Sequence, residues 1–463
     1  MERDGFDMKK REATGLGANL WFSLSLFGLI GQMAWAVENM YLNIYLYKTV
    51  TFDPDAIAIM VAASAIVATL TTLTMGALSD RIRKRKIFIV GGYLVWGVSI
   101  ACFGFITPDL VQALLPGFEV IATTVVLIII LDCIMTFIGS SANDAAFQAY
   151  VNDVTVPSNR GKAEGLLATM PLLAMLVVFG ALDGFTQRGE WRLFFFIIGG
   201  IVIVAGFLGL FLIQDQVPER KNAHYLQDLI FGFRPSTVKG NWLLYLIFLS
   251  VCILGIAQQV FIPYFILYFE FFLGLKDYVL MLASILLISS IISVVGGRFV
   301  DRIDKKGFLM ISVILYLVGM LLLYVLGRAW PEFDLTAAVL TAGSGILMMG
   351  TYLLAMVVLN SMGRDLMPVS HVGVFVGIRM VFFIMIPMVV GPFIGSKIIK
   401  NSSSTYTDEF GVIQSTPIPE IYLGGFLAGL LTFVPIYFIV RALRTEEFKH
   451  ISFPAGEGSS NES

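Results

Sequence analysis

Four ionisable side chains lie inside long apolar runs of this chain: Glu38, Asp132, Asp183 and Arg379. Burying a charged group among apolar residues is costly, so such groups mark ion pathways, proton relays or ligand sites. Glu38 and Asp132 are candidates for a carboxyl that gains and loses a proton as its surroundings change from wet to dry. Arg379 needs an anion, which Asp132, Glu38, an acidic ligand or a structural partner in its own half of the chain would supply. Asp183 lies near a helix end, where we expect it to be solvated.

Polar side chains cluster in the first apolar run, "GQMAWAVENMYLNIYLY". Helical spacing places Gln32, Trp35 and Asn39 on one face, with Glu38 beside them. A polar face that carries an aromatic ring suits a sugar, because the hydroxyls need hydrogen bonds and the C–H face stacks on apolar rings. We therefore interpret these four residues as a candidate substrate or coupling site.

A run in the second half, "GIAQQVFIPYF", offers matching polar groups. Gln258, Gln259 and Tyr264 would complete a polar cavity if they faced the residues of the first run. The alternative is that these amides bond neighbouring helices to one another, which is common in membranes.

The composition predicts a membrane protein. The chain has 463 residues, of which 57% are hydrophobic and 14% are charged, whereas a soluble domain has roughly 25% charged residues. So few polar residues cannot cover the apolar surface of a folded chain, and lipid must cover it instead. Apolar runs of about 20 residues have the length that crosses a bilayer. We predict an all-α protein with twelve transmembrane helices.

The placement of basic residues predicts the orientation in the membrane. Most of the 31 lysines and arginines fall in the N-terminal tail, the alternate loops and the C-terminal tail, and basic residues are retained on the cytoplasmic side. We expect both termini in the cytoplasm, no removal of an N-terminal segment, and residence in the plasma membrane. A smaller set of basic residues falls on the opposite side: Lys48, Arg188, Arg192, Lys276, Arg328, Lys397 and Lys400.

The two halves of the chain repeat one another. One set of loop residues recurs at a constant distance along the chain, pairing Gly76, Asp80, Arg81 and Lys84 with Gly297, Asp301, Arg302 and Lys305. A slightly shorter distance pairs Asp153 with Asp365. We therefore predict two six-helix halves, 1–214 and 242–445, joined by a cytoplasmic loop, 215–241, and followed by a flexible cytoplasmic tail, 446–463.

The two loop copies, "GALSDRIRKRK" and "GRFVDRIDKK", resemble the signature loop of the major facilitator superfamily. That resemblance implies two parallel halves that rock about a substrate held near the midplane. It also implies that Asp80 meets the start of the eleventh helix, near His371, and latches the cytoplasmic side; the alternative is that the basic residues only anchor the loop at lipid headgroups. Arg83 and Asp304 stand where the family pattern has glycine.

Two shorter resemblances concern the substrate. The Gln, Trp-Ala and Glu of the first helix are similar to helix one of sucrose-type transporters. Asp144, Phe147 and Arg160 resemble the end of helix four in the glycoside-pentoside-hexuronide cation symporters, which implies Asp144 as a cation ligand; its alternative role is to pair with cytoplasmic basic residues. That group carries two acids on helix two, where this chain has Ala68 and Thr72, so a sodium site of that kind is not expected.

No phosphate-binding loop, metal-ligand spacing or nucleophile motif is present, so we expect no enzymatic activity, no metal or other cofactor and no nucleic-acid partner. Cys102, Cys133 and Cys252 have no paired spacing and are expected to be packing residues. The leading hypothesis is a symporter that couples a proton, or sodium, to a sugar or glycoside. The alternatives are a proton-coupled exporter of hydrophobic drugs, and a receptor or assembly factor on the same fold.

Overall fold

The computed structural model describes residues 17–82, 84–155, 157–215, 232–275, 278–300, 304–329, 334–368, 372–402, 405–407 and 413–444. Twelve helices in these residues are long and apolar enough to cross a membrane. In chain order, α1 to α12 are Ala18–Thr49, Pro54–Gly76, Arg85–Phe105, Val120–Val154, Lys162–Gln187, Trp191–Leu212, Trp242–Phe272, Tyr278–Gly297, Lys305–Ala329, Leu335–Asp365, Gly377–Lys400 and Glu420–Ala442. The prediction of an all-α fold with twelve transmembrane helices is confirmed.

Helical structure extends beyond some of these apolar bounds. The helix of α2 continues to Ile82, that of α5 starts at Pro157, and that of α11 starts at Val372. Two short helices, Pro108–Leu114 and Pro235–Gly240, lie outside the membrane spans.

A small β-hairpin between α11 and α12 was not predicted. Its strands are β1, Thr405–Thr407, and β2, Ile413–Ser415, and they pair antiparallel with Tyr406 opposite Gln414. A run of Ser and Thr residues gives no periodic apolar signal, so strand pairing there is invisible to a search for alternating apolar residues.

Side-chain caps set where two of the long helices begin. The Glu119 carboxylate accepts a hydrogen bond from the Ala122 amide ahead of α4, and the Asp334 carboxylate accepts one from the Ala337 amide ahead of α10. Each carboxylate satisfies an amide that has no partner in the first helical turn. Acidic caps also interact favourably with the positive end of the helix dipole.

Glycines permit close packing between neighbouring helices. In α3 and α6, a Cβ atom on Gly97 would lie 2.5 Å from the Gly199 carbonyl oxygen, and one on Gly199 would lie 2.5 Å from the Gly97 carbonyl oxygen. In α9, a Cβ atom on Gly319 would lie 2.7 Å from the Met348 amide nitrogen of α10. Small residues at such contacts let two backbones approach, which is how membrane helices gain packing energy.

The chain forms two compact units. Unit 1 comprises Met1–Thr51 and Ile66–Tyr225, and unit 2 comprises Phe52–Ala65 and Leu226–Ser463. The predicted halves assign all of α2 to the first half, whereas the first turns of α2 pack in unit 2.

Each unit contains one equivalent ion pair at the same place in its helix order. In unit 1, Arg85 at the start of α3 donates from Nε to Asp153 of α4 at 3.0 Å and from Nη1 to Ser79 at 2.6 Å. In unit 2, Lys305 at the start of α9 contacts Asp365 of α10 at 3.0 Å. The equivalence of these pairs supports the predicted duplication.

We expect Arg85→Ala to destabilise the protein strongly. The Arg85 side chain is only 3% exposed, and removing one partner of a buried ion pair costs about 3–5 kcal/mol because the other charge stays buried. Arg188→Ala is the matched control, because the Arg188–Glu190 pair is 58% and 43% exposed and its loss should cost less. Thermal unfolding in detergent measures both. Equal losses would mean that the Arg85–Asp153 pair does not stabilise unit 1.

Candidate functional site

The candidate site in unit 1 forms where α1 and α4 both depart from α-helical geometry. A π-helical turn, Val37–Tyr41, interrupts α1 and contains Glu38. A longer π-helical segment, Ser140–Phe147, interrupts α4 and contains Asn143 and Asp144. Wide turns of this kind insert an extra residue into a helix and occur frequently at functional sites.

Glu38 joins α1 to α4. Its carboxylate Oε1 accepts a hydrogen bond from the Thr136 hydroxyl at 2.8 Å. Glu38 is 8% exposed, and its second oxygen, Oε2, is buried without a hydrogen-bond partner among the described residues. A carboxylate oxygen left in this state favours binding of a proton or another ligand, because a buried polar atom without a partner is costly.

Asp132 and Asp144 bring two further carboxyl groups to the same region. Asp132 is 1% exposed and lies one helical turn before Thr136. Both aspartates lie close enough to Glu38 to act on its charge. Like charges at short range cannot all be ionised at low cost. The arrangement therefore suits a site that holds protons or a cation.

Polar partners orient the Asp144 carboxylate. It accepts hydrogen bonds from Ser140 Oγ and Asn143 Nδ2, each at 3.2 Å. The Tyr93 hydroxyl lies 3.0 Å from Asn143 Oδ1 and 2.9 Å from the carbonyl oxygen of residue 27. The Trp35 indole, which the sequence places in the substrate site, is near enough to Asp144 to influence its carboxylate.

Aromatic rings enclose one side of this cluster. The ring centroids of Trp35 and Trp96 are 5.1 Å apart, and those of Tyr93 and Trp96 are 5.5 Å apart. Trp96 is fully buried, whereas Trp35 is half-buried. A Cβ atom on Gly139 would lie 2.6 Å from the Trp96 ring, so glycine is required for α4 to pack against it.

The other residues predicted on α1 have different surroundings. Gln32 is half-buried and Asn39 is exposed. The Asn39 amide donates to the carbonyl of Trp35 at 2.9 Å, within its own helix. Their role in substrate binding stays a prediction.

Asp183 of α5 is not solvated. It is 1% exposed and accepts hydrogen bonds from the Tyr41 hydroxyl at 2.9 Å and from Gln187 Nε2 at 2.6 Å. The expectation of a solvated helix end is therefore wrong. A π-helical turn directly before Asp183 and the tyrosine of α1 give the carboxylate a buried position that its place in the sequence does not reveal.

The two glutamines that the sequence analysis selects on α7 of unit 2 have different surroundings. Gln258 is buried and donates from Nε2 to the Met349 sulfur at 3.1 Å, while its Oε1 accepts from the Tyr316 hydroxyl at 3.1 Å. These contacts join α7, α9 and α10, as expected of an amide that bonds helices together. Gln259 is half-buried and packs beside Gly391.

Arg379 has no carboxylate partner among the described residues of unit 2. Its guanidinium lies over the Phe383 ring, with 5.2 Å from Cζ to the ring centroid, and it is half-buried. Arg364, which is also positive, lies close enough to act on its charge. A structural ion pair within the described part of unit 2 is therefore not observed, and an anion from elsewhere remains the expected partner.

The predicted gating loops are described in part. Gly76 and Gly297 are half-buried, and Arg81 and Lys84 are exposed. Lys305 is buried in its ion pair with Asp365. For several residues named in the sequence analysis, either the whole residue or its side chain lies outside the described part of the chain. These are Asp80, Arg83, Arg160, Asp301, Arg302 and His371.

The sequence comparison identified the wrong counterpart for Lys305. It pairs Lys305 with Lys84, which is exposed, whereas Arg85 makes the equivalent buried ion pair. Lys86 also has a defined role, because its Nζ donates to the carbonyl oxygen of Leu210 at 2.6 Å, at the end of α6. A basic group there satisfies a carbonyl in the last turn of a helix. For Arg85 and Lys86, anchoring at lipid headgroups is therefore not the whole role.

We expect Thr136→Val to destabilise the protein more than Thr124→Val. Both threonines are fully buried in α4, but the Thr124 hydroxyl bonds only its own helix, at Val120. Loss of the Thr136 hydroxyl leaves the buried Glu38 oxygen without a partner, which costs about 1–3 kcal/mol, whereas the Val120 carbonyl keeps its backbone hydrogen bond within α4. Valine keeps the shape and removes only the hydroxyl. Thermal unfolding of the two variants in detergent measures the difference, and equal losses would exclude a strong Thr136–Glu38 bond.

Solved structures of transporters share this fold. The nucleoside transporter NupG superposes with a TM-score of 0.62 at 14% identity, covering 92% of this chain and 100% of that chain. The xylose transporter XylE from E. coli superposes with a TM-score of 0.61 at 15% identity, covering 90% of this chain and 98% of that one.

A curated relative is similar in sequence. "Multidrug resistance protein 2" of Bacillus subtilis (strain 168) is 24% identical over 283 residues, which is 58% of this chain. The chain matches 63% of the length of that relative, which is less than two thirds.

The family model described as Major Facilitator Superfamily matches residues 24–392, which is most of the chain and spans eleven of the twelve helices completely or in large part. Together with the twelve-helix fold, this match shows that the chain is a multi-pass membrane protein and a transporter belonging to the Major Facilitator Superfamily.

Proposed function

We propose that this transporter is a proton-coupled symporter of a sugar or glycoside that works by alternating access. The observation that carries the proposal is the Glu38 carboxylate, which is buried in unit 1, is held by Thr136 through one oxygen and has no described hydrogen-bond partner at the other. A carboxylate in this setting binds a proton when the site is dry and releases it when the site is wet.

A proton is favoured over sodium as the coupling ion. Sodium requires several oxygen ligands, and the position on α2 where the resembled cation symporters carry an acid is Thr72 here. The Thr72 hydroxyl donates to the Ala68 carbonyl of its own helix at 2.8 Å. Both carboxylate oxygens of Asp144 already accept a hydrogen bond, one from Asn143 and one from Ser140, and are therefore less available as sodium ligands. Proton binding needs only Glu38, with Asp132 as a neighbour.

The sugar preference rests on the residues around this carboxylate. Trp35 offers a half-buried aromatic face next to Asp144, and Gln32 and Asn39 supply hydrogen-bonding amides on the same helix. Gln259 and Arg379 are proposed as the contributions of unit 2. The predicted role of Tyr264 in the substrate site is not retained, because its side chain is fully buried and its hydroxyl lies at hydrogen-bond distance from the Pro54 and Pro392 carbonyl oxygens. The names of two structurally similar proteins, a xylose and a nucleoside transporter, are compatible with a substrate that carries a sugar.

The proposed orientation places both termini in the cytoplasm of the cell and the transporter in the plasma membrane. It rests on the distribution of the basic residues. In this orientation the loop residues Gly76, Asp80, Arg81 and Lys84 and their counterparts in the second half are cytoplasmic gating elements. The Arg85–Asp153 and Lys305–Asp365 pairs brace the helices that flank them.

We expect proteoliposomes that contain this protein to accumulate a labelled sugar when an inward proton gradient is imposed. Accumulation should not respond to a sodium gradient. Glu38→Gln should abolish gradient-driven accumulation and retain exchange of the sugar, because the amide cannot release a proton. Glu119→Gln is the matched control, because Glu119 is an exposed helix cap and should transport normally. The absence of gradient-dependent accumulation for every sugar in a broad panel would overturn the proposal.

A second candidate function is proton-coupled export of hydrophobic drugs. The relative named as a multidrug resistance protein favours it, and the same buried carboxyl would then exchange a proton for the drug. Efflux of hydrophobic dyes from cells that express the protein separates the two candidates. Dye efflux that Glu38→Gln abolishes, without sugar accumulation, would favour the exporter.

A further inference from the structure

The beginning of α2 is bound to the end of α11 by a group of polar contacts inside unit 2. Lys400 Nζ contacts Asp53 Oδ1 at 2.9 Å and also pairs with Asp55. The Ser396 hydroxyl donates to Asp55 from one turn earlier in α11. We call Asp53, Asp55, Ser396 and Lys400 the α2–α11 cluster.

Both helix ends favour the charges that they carry. Asp53 and Asp55 flank Pro54, the first residue of α2, and Lys400 is the last residue of α11. Acidic groups are favoured at the positive N-terminal end of a helix and basic groups at the negative C-terminal end. The two ends therefore attract one another through their dipoles as well as their side chains.

A buried tyrosine lies beneath the cluster. The Tyr264 hydroxyl of α7 lies 3.1 Å from the Pro54 carbonyl oxygen and 2.9 Å from the Pro392 carbonyl oxygen. The Tyr264 side chain is fully buried, so it contacts α2 and α11 at once. The rings of Phe52, just before α2, and Phe271 of α7 pack edge to face, with 6.4 Å between their centroids.

The cluster itself is open to water. The side chains of Asp53, Asp55 and Lys400 are each more than 40% exposed. Ion pairs that water reaches separate easily, because solvent replaces the lost partner. The ion pairs of the cluster can therefore break and form again at low cost.

The place of α2 in the fold makes such a reversible contact relevant to transport. Phe52–Ala65 packs in unit 2, whereas α2 from Ile66 onwards belongs to unit 1. Alternating access moves one half of such a transporter against the other, so one end of α2 must change its neighbours in each cycle. All of these contacts lie at the end of α2 opposite to the signature loop.

We propose that the α2–α11 cluster is an external latch, which keeps the beginning of α2 in unit 2 and has to separate before the carrier opens to the outside. This proposal rests on the proposed transport function, because only a transporter has to open, and on the proposed orientation, which places this end of α2 outside the cell. It is distinct from the cytoplasmic latch that the signature loop implies, and it gives Asp53, Asp55 and Lys400 a role that the sequence did not indicate.

Labelling of a buried reporter tests the latch without knowledge of the substrate. Ala58 is fully buried in the first turns of α2, so Ala58→Cys reports when this segment leaves unit 2. The background replaces the native cysteines by alanine: Cys102, Cys133 and Cys252. In intact cells, a membrane-impermeant maleimide should label the reporter about fivefold faster when Lys400→Ala removes the ion pairs.

The controls separate the latch from general loosening. Lys400→Arg keeps the charge and should label as slowly as the parent. Arg188→Ala removes the exposed Arg188–Glu190 pair, which is predicted on the same side of the membrane, and should also leave labelling unchanged. If Lys400→Ala folds poorly, Asp53→Asn with Asp55→Asn removes the same ion pairs from the side of α2 and should speed labelling in the same way.

Equal labelling rates in Lys400→Ala and the parent would overturn the latch. Faster labelling in inside-out vesicles, and not in intact cells, would support the latch and overturn the proposed orientation. A failed search for sugar transport leaves these rates unaffected, so the failure of the proposed function and the failure of the latch are distinguishable.

Discussion

Lipid offers no hydrogen bond, so each polar group that this chain carries into the membrane needs a partner inside the protein or a ligand. Many buried hydroxyls among the described residues meet this constraint within their own helix, as Thr124, Ser250 and Ser344 do by bonding a carbonyl one turn earlier. Thr136 departs from this pattern, because it donates to Glu38 of another helix. That bond joins α1 to α4 and leaves one Glu38 oxygen for a proton.

The two π-helical segments explain how these groups meet. Glu38 and Asp144 each lie where a helix widens by one residue, which shifts the side chains that follow relative to regular α-helical spacing. Periodicity predicts that Gln32, Trp35 and Asn39 share a face, but it cannot predict where a wide turn interrupts the helix. Such turns cost hydrogen-bond geometry, and their presence on both sides of one carboxylate cluster is consistent with a functional site.

The duplication preserves physical roles more closely than residue types. Arg85 with Asp153 and Lys305 with Asp365 perform the same task at the starts of α3 and α9, although one cation is a guanidinium and the other an ammonium. The repeat was visible in the sequence because the loop residues recur at a constant distance. The pairing was wrong by one residue at Lys84, since several basic residues follow one another and only burial distinguishes the one that forms the ion pair.

The sequence by itself determined the twelve helices, the repeat and the presence of carboxyl groups within the membrane, because apolar length, charge placement and recurrence are properties of the chain alone. Tertiary structure decided which of these groups have partners. Asp183 is buried against Tyr41, Gln258 is bound by Met349 and Tyr316, and Lys400 meets Asp53 and Asp55. The residues in each of these contacts lie far apart in the chain, and their distances depend on helix packing and on wide turns that leave no periodic signal. The presence of an ionisable or polar side chain within the membrane was therefore predictable from the sequence. The partner of that side chain on another helix was not.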